Sequence, residues 1–123
     1  MRRIFVVLVL AALLVAIAAP VAVAIKERCD TIPCNGTNKK DQLSERKGNG
    51  TTDNIRGLKG NDRLRADRYS GDRDTLKGEE GDDALNSDDG DSKDLVDCGK
   101  GDADAYAADR GDRVRNCEVG VSS

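Results

Sequence analysis

A period of 21 residues runs through the chain and restricts it to a repetitive architecture. Gly36, Gly57, Gly78 and Gly99 lie 21 apart, as do Asp41, Asp62, Asp83 and Asp104, and as do Leu43, Leu64, Leu85 and Tyr106. The unit begins Gly-x-x-x-x-Asp-x-Leu, and four copies fill residues 36–119. Each copy holds a second Asp-x-apolar triplet: Asp53-Asn54-Ile55, Asp74-Thr75-Leu76, Asp94-Leu95-Val96 and Asp112-Arg113-Val114, with the spacing drifting in the later copies. Alternation over so few residues reads as a very short strand with its apolar side chain inward. The segments Gly57-Leu58-Lys59-Gly60-Asn61-Asp62 and Gly78-Glu79-Glu80-Gly81-Asp82-Asp83 read as turns, where glycine supplies positive φ. Two strands and two turns per 21 residues describe one coil of a parallel β-solenoid. The expected fold is therefore all-β, a short β-roll of about four coils. One inward column is Leu43, Leu64, Leu85 and Tyr106; the other is Ile55, Leu76, Val96 and Val114. A helix would need an apolar stripe at three- and four-residue spacing, and none is present.

Composition agrees. Beyond Ala24 only 25 of 99 residues are apolar, about half the share in an ordinary globular domain, which excludes a layered core or a helical bundle. The chain has no His, the commonest general base and metal-binding imidazole. Nothing is therefore placed to activate Ser44, Ser70, Ser87 or Ser92, and an enzyme is not expected.

The first segment reads as an address. Met1-Arg2-Arg3, an apolar run from Ile4 to Ala19, Pro20 and the small residues Ala22 and Ala24 fit a signal peptide over residues 1–24. A retained membrane anchor is the rival reading. Export makes the four cysteines legible as two disulfides, in a secreted, extracellular chain. Three pairings are possible. Cys29–Cys34 and Cys98–Cys117 are favoured, because the two couples sit at opposite ends of the repeat; a four-cysteine zinc site lacks the paired short knuckles. The organisation expected is a cap over residues 25–35, the repeat over 36–119 and a tail over 120–123.

Stacking sets Asp41, Asp62, Asp83 and Asp104 in file, where neighbours about 4.8 Å apart repel. Eight inward apolar side chains offer little to oppose that repulsion and the ordering of the backbone. A hard divalent cation between coils would turn repulsion into a bond. Oxygen ligands in a flexible geometry point to Ca²⁺ ahead of Zn²⁺ or Mg²⁺. Lys39, Lys40 and Arg73 are the alternative source of positive charge.

Residues Gly57-Leu58-Lys59-Gly60-Asn61-Asp62-Arg63-Leu64 and Gly78-Glu79-Glu80-Gly81-Asp82-Asp83-Ala84-Leu85 resemble the nonapeptide GGxGxDxUx of secreted hemolysin-type (RTX) proteins. The stretch Asp97-Cys98-Gly99-Lys100-Gly101, with Asp109 to Cys117-Glu118, is similar to a cysteine-bearing end cap of secreted bacterial relatives. The resemblance implies a β-roll holding Ca²⁺ between turns through carbonyls and Asp carboxylates. Its strongest site here would be Gly57, Gly60 and Asp62 facing Gly78, Gly81 and Asp83; Asp41, Asp53, Asp74 and Asp104 are the further ligand positions. The coil departs from two nonapeptides by three extra residues at one edge. The double glycine is also missing nearly everywhere.

Residues 36–71 carry nine basic and five acidic side chains, and residues 72–112 five and fifteen. Polyanion binding by the first half would usually add aromatic stacking, and beyond Ala24 only Tyr69 and Tyr106 exist. Nucleic acid is not an expected partner, nor is a membrane after cleavage. Asp88, Asp89 and Asp91 crowd an inserted turn in the acidic half. The functional expectation is a secreted Ca²⁺-binding repeat protein that orders with calcium. The alternative is a metal-independent solenoid acting as an adhesion or surface-interaction module.

Overall fold

The computed structural model describes residues 23–29, 33–45, 52, 54–66, 68 and 71–123. The expected signal peptide lies outside them apart from Val23 and Ala24, as does the ligand position Asp53. Among the described residues no helix is long and apolar enough to cross a membrane.

The chain winds as a β-solenoid from eleven short strands: β1 (Lys26–Cys29), β2 (Cys34–Asn35), β3 (Gln42–Glu45), β4 (Asn54–Lys59), β5 (Arg63–Arg65), β6 (Thr75–Glu80), β7 (Ala84–Asn86), β8 (Leu95–Lys100), β9 (Ala105–Ala108), β10 (Arg113–Arg115) and β11 (Val119–Ser122). Odd strands form one parallel sheet in the order β1-β3-β5-β7-β9-β11, and even strands the other, β2-β4-β6-β8-β10. Each coil thus passes from an even strand to an odd one and back.

Both inward columns form as the triplets require. Leu43 registers with Leu64, Leu64 with Leu85 and Leu85 with Tyr106; opposite them Ile55 registers with Leu76, Leu76 with Val96 and Val96 with Val114. The six aliphatic members from Leu43 to Val96 are fully buried, whereas Tyr106 and Val114 are half-buried at the thinning end of the stack. Gly120 registers with Tyr106, and a Cβ there would collide with the ring. This glycine therefore lets β11 lie directly over the last inward side chain. Residues 120–122, expected in a tail, are part of that final rung.

Register also shows where the 21-residue spacing gives way. The odd sheet keeps it from Leu43 to Tyr106, but in the even sheet Leu76 meets Val96 after 20 residues and Val96 meets Val114 after 18. Gly99 consequently stands beside Glu79, and Cys98 occupies the place next to Gly78. The fourth glycine of the sequence column belongs elsewhere. β8 starts one residue sooner after β7 than β6 does after β5, and the turn 101–104 is one residue longer than 81–83, which restores the spacing of the odd sheet.

Disulfides Cys29–Cys34 and Cys98–Cys117 clamp the two ends, with Cα separations of 5.4 and 5.2 Å. No cysteine is free. This settles the pairing left open by the spacing and is what an oxidising compartment allows. In so small a core, closing the longer loop is worth about 3 kcal/mol.

Candidate metal centres

Two edges join the sheets. The short edge is made by residues 60–62, 81–83 and 101–104, and the long edge, among the described residues, by 71–74, 87–94 and 109–112. Both place an aspartate at the corner where the chain enters a strand.

At the short edge Asp41, Asp62, Asp83 and Asp104 are buried, at 0–3% exposure. The reason is the backbone. Where a coil turns, the N–H of the corner residue loses its ladder partner, and the carboxylate of the next coil supplies one. Asp41 N–H donates to Asp62 Oδ1 (2.8 Å), Asp62 N–H to Asp83 Oδ1 (2.7 Å) and Asp83 N–H to Asp104 Oδ1 (2.6 Å). Ile25 N–H donates to Asp41 Oδ1 and Asp104 N–H to Glu118 Oε2, so the file is closed at both ends. This is the helix-capping role of aspartate transferred to a solenoid corner. Reading the file as a cation cage alone missed it; the Asp-x-apolar triplet at every strand start was its signal in the sequence.

The second oxygens differ from coil to coil. Asp41 Oδ2 accepts from the Thr37 N–H and hydroxyl. One coil on, the Thr37 position is Leu58, and then Glu79, both at positive φ. Neither carries a hydroxyl. Asp62 Oδ2, Asp83 Oδ2 and Asp104 Oδ2 are buried with no hydrogen-bond partner. The glycines are the complement to these oxygens: a Cβ on Gly57 would collide with Asp62 Oδ2 and the Gly78 carbonyl oxygen, and one on Gly78 with Asp83 Oδ2 and the Cys98 carbonyl oxygen. A carboxylate oxygen of one coil and a carbonyl oxygen of the next thus flank the same spot. Gly60 and Gly81 stack by close approach of backbone, Gly60 to the Lys39 carbonyl and Gly81 to the Gly60 carbonyl, at φ of +117° and +128°.

Burial, opposed by the hydrogen bond from the Asp41 N–H and reinforced by the Asp41 charge, pushes the Asp62 carboxyl up to about 6. Burial likewise raises Asp83 to about 7, with the Asp62 and Asp104 charges adding to it. Asp104 moves in the same direction, chiefly by burial and then by the charge of Glu118. Among the described residues the basic side chains pair elsewhere: Arg56 with Glu79, Lys59 with Glu80 and Arg115 with Asp97, on the outer face of the even sheet, and Lys93 with Asp91. Among the described residues no ion pair reaches Asp62, Asp83 or Asp104. Lys39 and Lys40 are exposed.

The long edge repeats the ladder, with Asp74 N–H donating to Asp94 Oδ1 (2.7 Å) and Asp94 N–H to Asp112 Oδ1 (3.1 Å). Its longer turns add acids the ladder does not use. Three overlapping triads result: Glu45, Asp72 and Asp74; Asp72, Asp89 and Asp91; Asp91, Asp94 and Asp112. Within each, one oxygen per residue lies within 4.8 Å of the others. Burial pushes Asp94 up to about 7, with the Asp74 charge adding, and Asp89 up to about 6, with the Asp91 charge adding. Of the ligand positions expected from the sequence, Asp74 alone belongs to a triad; Asp41, Asp62, Asp83 and Asp104 stand in the short-edge file. The triad members Glu45 and Asp72 carry no sequence signal, because nothing in a 21-residue register aligns them, and Asp112 was legible only as the start of an Asp-x-apolar triplet.

No family model matches the chain, and no curated protein and no solved structure matches it. What the molecule itself establishes is a disulfide-clamped solenoid whose buried, clustered acidic residues are compatible with metal binding.

Proposed function

We propose that the solenoid is an extracellular Ca²⁺-binding β-roll whose order depends on the ion. The reading is carried by the buried, unpartnered Oδ2 atoms of Asp62 and Asp83 beside the carbonyl oxygens of Gly78 and Cys98. Each carboxylate has one oxygen on a backbone N–H, and its other, buried oxygen, with neither hydrogen bond nor counter-charge, favours taking a proton or a cation. Burial pushes the Asp62 and Asp83 carboxyls up, and a cation lodged beside them would take the place of the proton that burial favours. Carboxylate and carbonyl oxygens form a hard donor set, which suits Ca²⁺ and its tolerance of irregular geometry. Gly57, Gly60, Asp62, Gly78, Gly81 and Asp83 are also the residues in which the chain resembles the RTX nonapeptide. Calcium binding to the folded state alone would add its binding energy to stability, leaving the chain loose where calcium is scarce and ordered where it is plentiful.

A second reading, a metal-independent surface-interaction module, has the cross-coil ion pairs Arg56–Glu79 and Arg115–Asp97 in its favour. Far-UV circular dichroism and thermal melting in Ca²⁺ and in EDTA separate the two. Loss of β signal or a much lower Tm in EDTA is expected. A spectrum and a Tm indifferent to chelation overturn the calcium reading.

A further inference from the structure

The ladder of the long edge accounts for one oxygen of Asp94 and one of Asp112, and it does not involve Asp91. Asp91 comes from the turn 87–94, in the extra length by which this coil exceeds two nonapeptides. Its place is nonetheless fixed. The Asp91 N–H donates to Asp89 Oδ1 (2.9 Å), Asp91 Oδ1 accepts from the Lys93 N–H (2.9 Å), and Asp91 Oδ2 accepts from the Gly71 N–H of the preceding coil (2.8 Å). The side chain is 10% exposed. Held this way, it brings an oxygen within 4.8 Å of one from Asp94 and one from Asp112.

Three carboxylates so close repel strongly, and solvent does not relieve them all. Asp94 is 1% exposed, and its Oδ2 has no hydrogen-bond partner. Asp112 Oδ2 is taken by the Asp109 N–H and the Ser87 hydroxyl. Among the described residues the only cation that an ion pair brings to the triad is Lys93, with Nζ 3.6 Å from Asp91 Oδ2 and the side chain half exposed. That is a weak, screened partner.

We propose that Asp91, Asp94 and Asp112 form a cation site of their own on the long edge, which takes one hard divalent ion of the size of Ca²⁺ and staples the turn 87–94 to the turn 109–112 of the next coil. With bonds of about 2.3–2.6 Å and tolerance of irregular geometry, such an ion suits three gathered carboxylates better than Mg²⁺, which wants a stricter octahedron. Lys93 is the competitor that the ion displaces. This site goes beyond the short-edge reading and stands or falls separately from it.

Calorimetric titration of CaCl₂ into the disulfide-bonded full chain at pH 7.5 tests it, comparing the parent protein with Asp91→Asn, Lys93→Met and Asp62→Asn. Asp91→Asn is expected to lose one ion from the stoichiometry, or to weaken one site at least about tenfold. Lys93→Met is expected to tighten the same site, and because it alters only a half-exposed side chain it carries the test even if Asp91→Asn folds poorly. Asp62→Asn is expected to leave that site intact. An unchanged isotherm for Lys93→Met together with a parental one for folded Asp91→Asn overturns the proposal. If Asp62→Asn behaves as the parent while Asp91→Asn loses an ion, the long-edge site stands and the short-edge reading falls. A parent chain that takes up no Ca²⁺ overturns both.

Discussion

At the short edge the chain crosses from β4 to β5 in residues 60–62 and from β6 to β7 in 81–83, whereas at the long edge it takes residues 66–74 to reach β6 and 87–94 to reach β8. Both edges set an aspartate ladder at the strand entry. The three-residue turn leaves no freedom around it: a glycine must make way for the carboxylate, another must allow the backbones to touch, and the spacing stays at 21 as long as both are present. The longer turn has slack. Its spacing drifts to 20 and then 18 residues, and the slack is filled with carboxylates that fold back towards the ladder. Tight turns thus preserve a repeat, and loose ones gather chemistry that the repeat does not announce.

Substituting glycine should break this comparison most sharply. Gly78→Ala drives a Cβ into the Cys98 carbonyl and Asp83 Oδ2 and should destabilise by roughly 3 kcal/mol or more. Gly90→Ala, at the tip of a long-edge turn with open space around it and φ of +99°, should lose only about 1 kcal/mol, for its backbone conformation. Equal losses in urea unfolding would mean that the two edges are equally tight.

The next largest effect is an inversion with pH. The folded-state carboxyls of Asp62 and Asp89 sit at about 6, and those of Asp83 and Asp94 at about 7, against 3.8 ordinarily. Folding therefore takes up protons between pH 4 and 7, and the associated stability is present below about pH 4 and is lost as pH rises through 6 and 7. In EDTA the Tm should fall from pH 5 to pH 8. In Ca²⁺, which needs ionised ligands, the calcium-dependent gain in Tm should rise over the same interval. Parallel pH profiles with and without the ion would contradict both files at once.

A smaller effect is expected from Asp83→Asn. The amide keeps an oxygen for the Asp62 N–H and removes a charge from the file, so in EDTA at pH 8 the variant should be at least as stable as the parent. It should also respond less to Ca²⁺. A clear drop of its Tm in EDTA would show that the buried charge was already compensated. Smallest of all, Arg56→Ala removes a partly exposed pair and should shift stability by no more than about 1 kcal/mol.

The parts of this molecule that could be read from its sequence are those where one residue does one job in every coil. Leu43, Leu64 and Leu85, and Ile55, Leu76 and Val96, face inward because period-two alternation leaves no other face apolar. The two cysteine couples pair as their places at opposite ends of the repeat suggest. Gly99 was misaligned because β8 is shifted by one residue, with a shorter turn before it and a longer one after it, which is invisible until Cys98 is seen to occupy the glycine position. The double use of Asp62 and Asp83, one oxygen to the backbone and one without a partner, was not legible either: a carboxylate's two oxygens share one letter. Nor was the triad of Asp91, Asp94 and Asp112, which only the fold of the long turn brings together.

Carboxyl ¹³C NMR on the full chain, titrated with and without Ca²⁺, asks most directly whether the inner oxygens of the short edge need a positive partner. Without the ion, Asp62 and Asp83 should titrate at about 6 and 7, and saturating Ca²⁺ should bring both below the ordinary carboxylate range as the ion takes the place of the proton. Ordinary values for both, unmoved by calcium, would contradict the account.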